Sequence, residues 1–228
     1  MPYLEALSHL SSGNVWLFWF PKQYLLGLVY LCNLIYNKMS DKSIYLDVYA
    51  EETPNPETMK FVFTSMILPD DAMDFPTKEK AQVSPLAKSL FEFSFVNGVF
   101  IMNNFVTITR LAGTEWHEVI PILKEFLKAY VEADEPIVIE RSAPHKYTGA
   151  NSVVVAQILD VLDTYIKPAV ETDGGMISFK SFEDGIVTVE LKGSCSGCPS
   201  STVTLKRGIE GMLTRMVPEV KEVVAENL

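Results

Sequence analysis

From residue 43 onward the apolar positions change period twice. Ile44 to Ala50 alternates and is rich in β-formers, which predicts a strand, and Lys60 to Ile67 predicts a second. Thr53-Pro54-Asn55-Pro56 between them is a rigid turn, because prolines flank an Asn. Residues 69–78, punctuated by Pro69, Asp70, Asp71 and Pro76, read as loop. Ser84 is placed to cap a short helix over 84–91 with Pro85 at its first position. Val99–Ile101 and Phe105–Thr109 are strands again, joined through Asn103-Asn104. The period then lengthens. Trp116, Val119, Ile120, Leu123, Phe126, Leu127 and Tyr130 recur at three and four, which predicts an amphipathic helix over 115–132. Pro136 to Glu140 reads as one more strand.

Residues 141–150 read as a linker. After it Val154, Val155, Ile158, Leu159, Leu162, Tyr165 and Ile166 form a helical stripe, capped by Asn151 or Ser152 and ended or kinked by Pro168. Asp173-Gly174-Gly175 is a turn, Ile177 and Phe179 lie on a strand, and Glu183-Asp184-Gly185 turns the chain into a returning strand, Ile186 to Leu191. A helix starting at Pro199 turns Val203, Ile209, Met212, Leu213 and Met216 to the core. Pro218 ends it, and Val220 to Ala225 is a last strand. The pattern predicts an α+β protein of two small α+β domains, residues 43–145 and 151–228. The second is a helix–hairpin–helix–strand unit. Residues 1–42 are an apolar extension.

Within that extension, residues 15–36 carry one charge, Lys22, and are long enough to span a bilayer, although Pro21-Lys22-Gln23 interrupts them. Residues 1–14 contain Glu5 and no Lys or Arg, unlike a signal peptide or an Arg-rich presequence. Three readings stand: a start assigned upstream of Met39, a membrane anchor, or a helix packed on the body. Cys32 lies here as an apolar filler.

Composition narrows the function. Of 228 residues 48% are hydrophobic, enough for folded domains. The net charge is −10 and Lys206-Arg207 is only a pair, so no basic footprint for nucleic acid exists. No acid–base pair, nucleophile–base set or phosphate loop is visible, which argues against an enzyme. His117 reads as an ordinary helix histidine.

The chain has three cysteines, and two of them form Gly193-Ser194-Cys195-Ser196-Gly197-Cys198-Pro199. This spacing lets both sulfurs face one point. The helix start at Pro199 offers free amides and a partial positive charge, which favour thiolates and an anionic cluster. Gly193 and Gly197 let backbone amides approach sulfur, and Ser194, Ser196 and Pro199 complete the loop around the ligands. A 4Fe–4S cluster with four thiolates needs four cysteines, so two chains meeting at Cys195 and Cys198 are the simplest arrangement. Four readings remain open on the residues alone: the shared cluster, a dithiol–disulfide redox pair, a zinc site that also needs a dimer, and two cysteines that only pack, which so much Gly and Ser disfavours.

The segments ILDVLDTYIKPAVETDGG at 158–175, VTVELKGSCSGCPSSTVTLKRGIEGML at 187–213 and VPEVKEV at 217–223 resemble the C-terminal domain of the NifU-like (Nfu) family of iron–sulfur scaffold and carrier proteins. TPNPETMKF at 53–61, SPLAKSLF at 84–91 and VFIMNNFVTITR at 99–110 resemble that family's N-terminal domain. Met176 departs from it, standing where a polar residue is usual. The resemblance implies that Cys195 and Cys198 ligate a 4Fe–4S cluster bridging a homodimer. It implies supply by the upstream cluster assembly machinery and transfer to apo iron–sulfur proteins. A cytoplasmic location is implied for a bacterial member and an organelle for a eukaryotic one. A membrane enters only if residues 15–36 are an anchor.

Overall fold

The computed structural model describes residues 46–139, 153–196 and 199–227. Residues 44–228 form one compact unit with two hydrophobic cores. The described residues mix helices and strands in the α+β manner expected.

The first core lies under a five-stranded antiparallel sheet, in the order β1-β2-β5-β4-β3. Its strands are β1 (Val48–Glu52), β2 (Thr58–Phe63), β3 (Leu68–Phe75), β4 (Val96–Asn103) and β5 (Phe105–Arg110). Phe61, Phe63, Val106, Ile108, Val99 and Ile101 point from one face into this core. Helix α1 (Pro85–Leu90) and helix α2 (Trp116–Glu132) contribute to the same core. The three-and-four spacing of α2 is realised, with Val119, Leu123 and Leu127 buried.

Two expectations fail in this half. Residues 69–78 are not a loop: Leu68–Phe75 is β3, and its irregular register against β4 between Leu68 and Ala72 absorbs the Pro and Asp residues. Residues 136–140 make no described strand. Their backbone is held singly, by the Ile139 amide donating to Val83 (2.8 Å) and the Ser84 hydroxyl donating to Ile137 (2.6 Å). Ser84 is therefore used twice, since its oxygen also accepts from the Ala87 amide at 3.1 Å as the cap of α1. Ser84→Ala should destabilise the protein by about 1–2 kcal/mol in urea titrations. An unchanged midpoint would mean that the Ile137 carbonyl finds another donor.

The second core lies under β6 (Gly175–Glu183), β7 (Ile186–Gly193) and β8 (Glu222–Asn227), in the order β6-β7-β8. A two-residue Asp184-Gly185 turn closes the β6–β7 hairpin, with Glu183 paired to Ile186. Strand β8 pairs parallel to β7, so helix α5 (Pro199–Met216) is the crossover between them. Pro168 does not end the preceding helix. Helix α3 (Val153–Val161) runs through a π-helical turn (Leu162–Ile166) into α4 (Lys167–Thr172), and Pro168 sits in the first turn of α4, where no amide is needed. On α5 only part of the expected stripe is inside. Ile209 and Leu213 are buried, whereas Val203, Met212 and Met216 are 51%, 37% and 45% exposed.

No helix among the described residues is long and apolar enough to cross a membrane. Residues 15–36, Cys32, Met39, the cap candidates Asn151 and Ser152, the whole linker 141–150, Gly197 and Cys198 lie outside the described residues.

Candidate functional site

The cysteine loop leaves β7 at Gly193 and enters α5 at Pro199. Gly193 has φ +67°, and a Cβ there would stand 2.8 Å from both the Gly174 oxygen and the Phe100 ring. Only glycine suits both demands. The Ser196 amide and hydroxyl donate to the Gly193 carbonyl at 3.1 and 2.9 Å, closing the turn. The Ser194 amide donates to Gly174 at 3.2 Å, and its hydroxyl donates to the Asp173 carbonyl. The Asp173-Gly174-Gly175 turn predicted from sequence is thus the floor of the cysteine loop. Gly175 lies directly against the sulfur: a Cβ there would be 2.7 Å from Cys195 Sγ and 2.8 Å from the Lys192 carbonyl.

Cys195 is only 6% exposed. Burial pushes its thiol up to about 11, the Ser194 hydroxyl 3.8 Å away opposes this, and the Asp173 carboxylate adds to it. The expectation that the helix start favours the thiolate is therefore not met for Cys195 in this state, because desolvation outweighs it. Ser194 is buried with it. Among the described residues no group of three or more His, Cys, Asp or Glu gathers to hold a metal. His117 is on the surface of α2, as read.

What covers the loop comes from the five-stranded sheet. Paired positions run straight across four of its strands: Lys60 on β2, Thr107 on β5, Phe100 on β4 and Asp74 on β3. This row lies on the face opposite the first core. Lys60 Nζ donates to the Glu171 and Thr172 carbonyls, both at 3.0 Å, at the C-terminal end of α4. A cation there complements the helix end. The Thr107 hydroxyl donates to Gly174 at 2.7 Å. Phe100 packs on Gly193. Asp74 lies against Lys192 and the Gly193 amide, and burial raises its carboxyl from 3.8 to about 6 while Lys192 and that amide oppose the rise.

At the end of this face stands the turn before β2. The Asn55 carbonyl accepts from the Thr58 amide (3.0 Å) and from the hydroxyls of Thr53 (2.8 Å) and Thr58 (3.1 Å). Its side-chain oxygen accepts from the Glu57 amide at 3.0 Å. The amide nitrogen is left to point away from the turn, and it donates to the Ser194 carbonyl at 3.1 Å. Trp116 steadies the turn from α2 by donating its indole N–H to Pro56 at 3.0 Å. Between the turn and the loop is a cavity of about 180 Å³, with Pro54 and Asn55 on one side and Asp173, Ser194, Cys195 and Leu205 on the other.

Sequence reasoning found the loop but not Asn55, Lys60, Asp74, Phe100 or Thr107. The signal was present in part. Phe100 and Phe105 interrupt a face that simple alternation assigns to water, and both are buried.

Comparisons with known proteins bear on both halves. A family model described as "NifU-like domain" matches residues 158–224, and one described as "Scaffold protein Nfu/NifU N terminal" matches residues 48–134. The chain is 40% identical over 182 residues to a human protein named "NFU1 iron-sulfur cluster scaffold homolog, mitochondrial", an alignment covering 78% of this chain and 71% of that one. Proteins of the same name from Drosophila ananassae and Drosophila virilis match at 39% and 35% identity, over 77% and 90% of this chain. The alignments cover 63% and 69% of those two relatives.

Proposed function

The chain belongs to the NifU-like (Nfu) family, and from that premise we propose that it is an iron–sulfur cluster scaffold and carrier in which Cys195 and Cys198 of two chains together hold one 4Fe–4S cluster. The observation that carries this reading is the Cys195-Ser196-Gly197-Cys198 loop joining β7 to the start of α5 in a chain of this family. Thiolates are the ordinary ligands of such clusters, and one such loop supplies half of the four required. Iron would displace the proton that burial holds on Cys195, so loading is coupled to proton release. Gly175 against the sulfur, together with Gly193, Ser194 and Ser196, shapes the space around Cys195.

The cluster is cargo, received from the assembly machinery and handed to apo iron–sulfur proteins. A cluster half-ligated by each of two chains is released by separating them, which suits a carrier better than a catalyst. The relatives' names place them in mitochondria, and a reducing organelle fits the cysteine usage as well as the cytoplasm expected from sequence.

Anaerobic reconstitution of the full chain with iron and sulfide tests this. The parent should bind about two irons per chain, show a broad visible band and run as a dimer. Cys195→Ser and Cys198→Ser should each lose nearly all bound iron while keeping the parent's circular dichroism. A full load on either variant removes that residue as a ligand. No iron on the parent, with a reversible Cys195–Cys198 disulfide instead, replaces the carrier by a dithiol redox protein.

A further inference from the structure

We propose that the row Lys60–Thr107–Phe100–Asp74, with Asn55 at its edge, is a receptor for the cysteine-loop end of the NifU-like fold, and that its occupation by the chain's own loop shuts Cys195 away from a second chain. The second half rests on the shared-cluster reading above; the first stands on the contacts alone.

The contacts are of different kinds and converge on one short stretch of backbone. Three side chains donate hydrogen bonds to main-chain carbonyls: Asn55 to Ser194, Thr107 to Gly174, and Lys60 to Glu171 and Thr172. The fourth is the Phe100 ring seated where Gly193 has no side chain. Carbonyl recognition reads backbone shape rather than particular side chains. The surface therefore fits this end of a NifU-like domain whether it belongs to the same chain or to another. Lys60 and Thr107 are almost fully buried in doing this, at 8% and 1% exposure. A lysine is rarely so enclosed unless its charge is met, and here it is met by a helix end, by Glu51 at 3.7 Å and by the Phe105 ring at 4.7 Å.

Cys195 packs in the second core against Gly175, and the contacts above bring the turn before β2 to the cavity on its remaining side. A sulfur shared across two chains must face a surface that the other chain can reach. In the closed form Pro54 and Asn55 wall the cavity beside it. Loading then requires the sheet to release the loop, and the released row becomes free to take up a loop again once the cluster has left.

The test uses the full chain with Cys32→Ser and Cys198→Ser, so that Cys195 is the one thiol, and follows its reaction with N-ethylmaleimide without any cluster. Asn55→Asp keeps the oxygen that accepts from Glu57 and turns a carboxylate toward the Ser194 carbonyl. Thr107→Val keeps the shape and removes the hydroxyl. The two together should speed labelling roughly tenfold, the opening expected from losing two hydrogen bonds. If circular dichroism shows that pair unfolded, Lys60→Met, which keeps the buried stem, takes its place with the same expectation. Labelling within twofold of the parent overturns the receptor. With all cysteines restored, the opened variant should also form the iron-loaded dimer at lower iron supply. Faster labelling with no iron bound leaves the receptor standing and removes the cluster reading. An iron-loaded dimer with unchanged labelling does the reverse.

Discussion

Gly175→Ala should cost the protein both stability and cluster. The added methyl meets Cys195 Sγ at 2.7 Å and the Lys192 carbonyl at 2.8 Å. The sulfur alone could swing aside, but the carbonyl belongs to the backbone of β7, where Lys192 is paired with Met176 of β6. Either β6 separates from β7 or the thiol leaves its place. Overfilling a packed site of this kind destabilises by about 1–3 kcal/mol. Displacing a group that orients a ligand weakens metal retention roughly tenfold to hundredfold. Urea titration of the apo-protein and iron retention after reconstitution read the two effects separately. Gly208→Ala is the internal control. Nothing lies within 4 Å of a Cβ at that position on α5, so it should be neutral or stabilising by up to about 1 kcal/mol, as alanine is in a helix. Equal behaviour of the two variants would show that the space around Cys195 is looser than the geometry requires.

Asp74→Asn should stabilise the protein above pH 6 and do little near pH 4. Burial raises the Asp74 carboxyl from 3.8 to about 6, against the pull of Lys192, the Gly193 amide and Lys80, with Glu190 adding to the rise. A carboxyl whose folded pKa lies above its unfolded value supports the fold when protonated. Its contribution is full below 3.8 and is lost as pH rises through about 6. At neutral pH the charged form therefore weakens folding, by up to roughly 3 kcal/mol. The amide removes that burden, so the gap between variant and parent should open between pH 4 and pH 7. Thermal melts across this range decide the matter, and a constant gap would place the titration elsewhere. Glu190 acts in the opposite sense. Burial raises it, but Lys192 at 3.3 Å and Lys180 at 3.4 Å, with Ser178, bring it below its ordinary value. Its support is present at neutral pH and fades under acid.

Local chemistry made much of this fold readable. Ser84 with Pro85, the long stripe of α2, the Asp184-Gly185 turn and Pro199 at a helix start each depend on near neighbours, and each appears where expected. The misses depend on distant partners. Residues 69–75 carry turn-forming acids and a proline, and only pairing with β4 makes them a strand. Spacing reads Pro168 as an end or a kink, because a π-helical turn leaves no signature in it. Three of the five α5 stripe positions are exposed over a sheet of only three strands. The cysteine loop was legible from its own residues. Its cover was not, since Asn55 and Lys60 reach it across more than a hundred residues of sequence. The same distance explains the misjudged thiol: the helix start is a local feature, and burial of Cys195 is a tertiary one.

The sheet that holds the loop is also made before it. A ribosome completes β1 to β5 well ahead of Cys195, and domains fold in that order as they emerge. When the second fold forms, a finished surface is already waiting beside it. A newly made sulfur can be enclosed at once, before oxygen species carry it toward sulfenic acid. Order of synthesis thus turns a row of side chains into a guard for the nascent thiol.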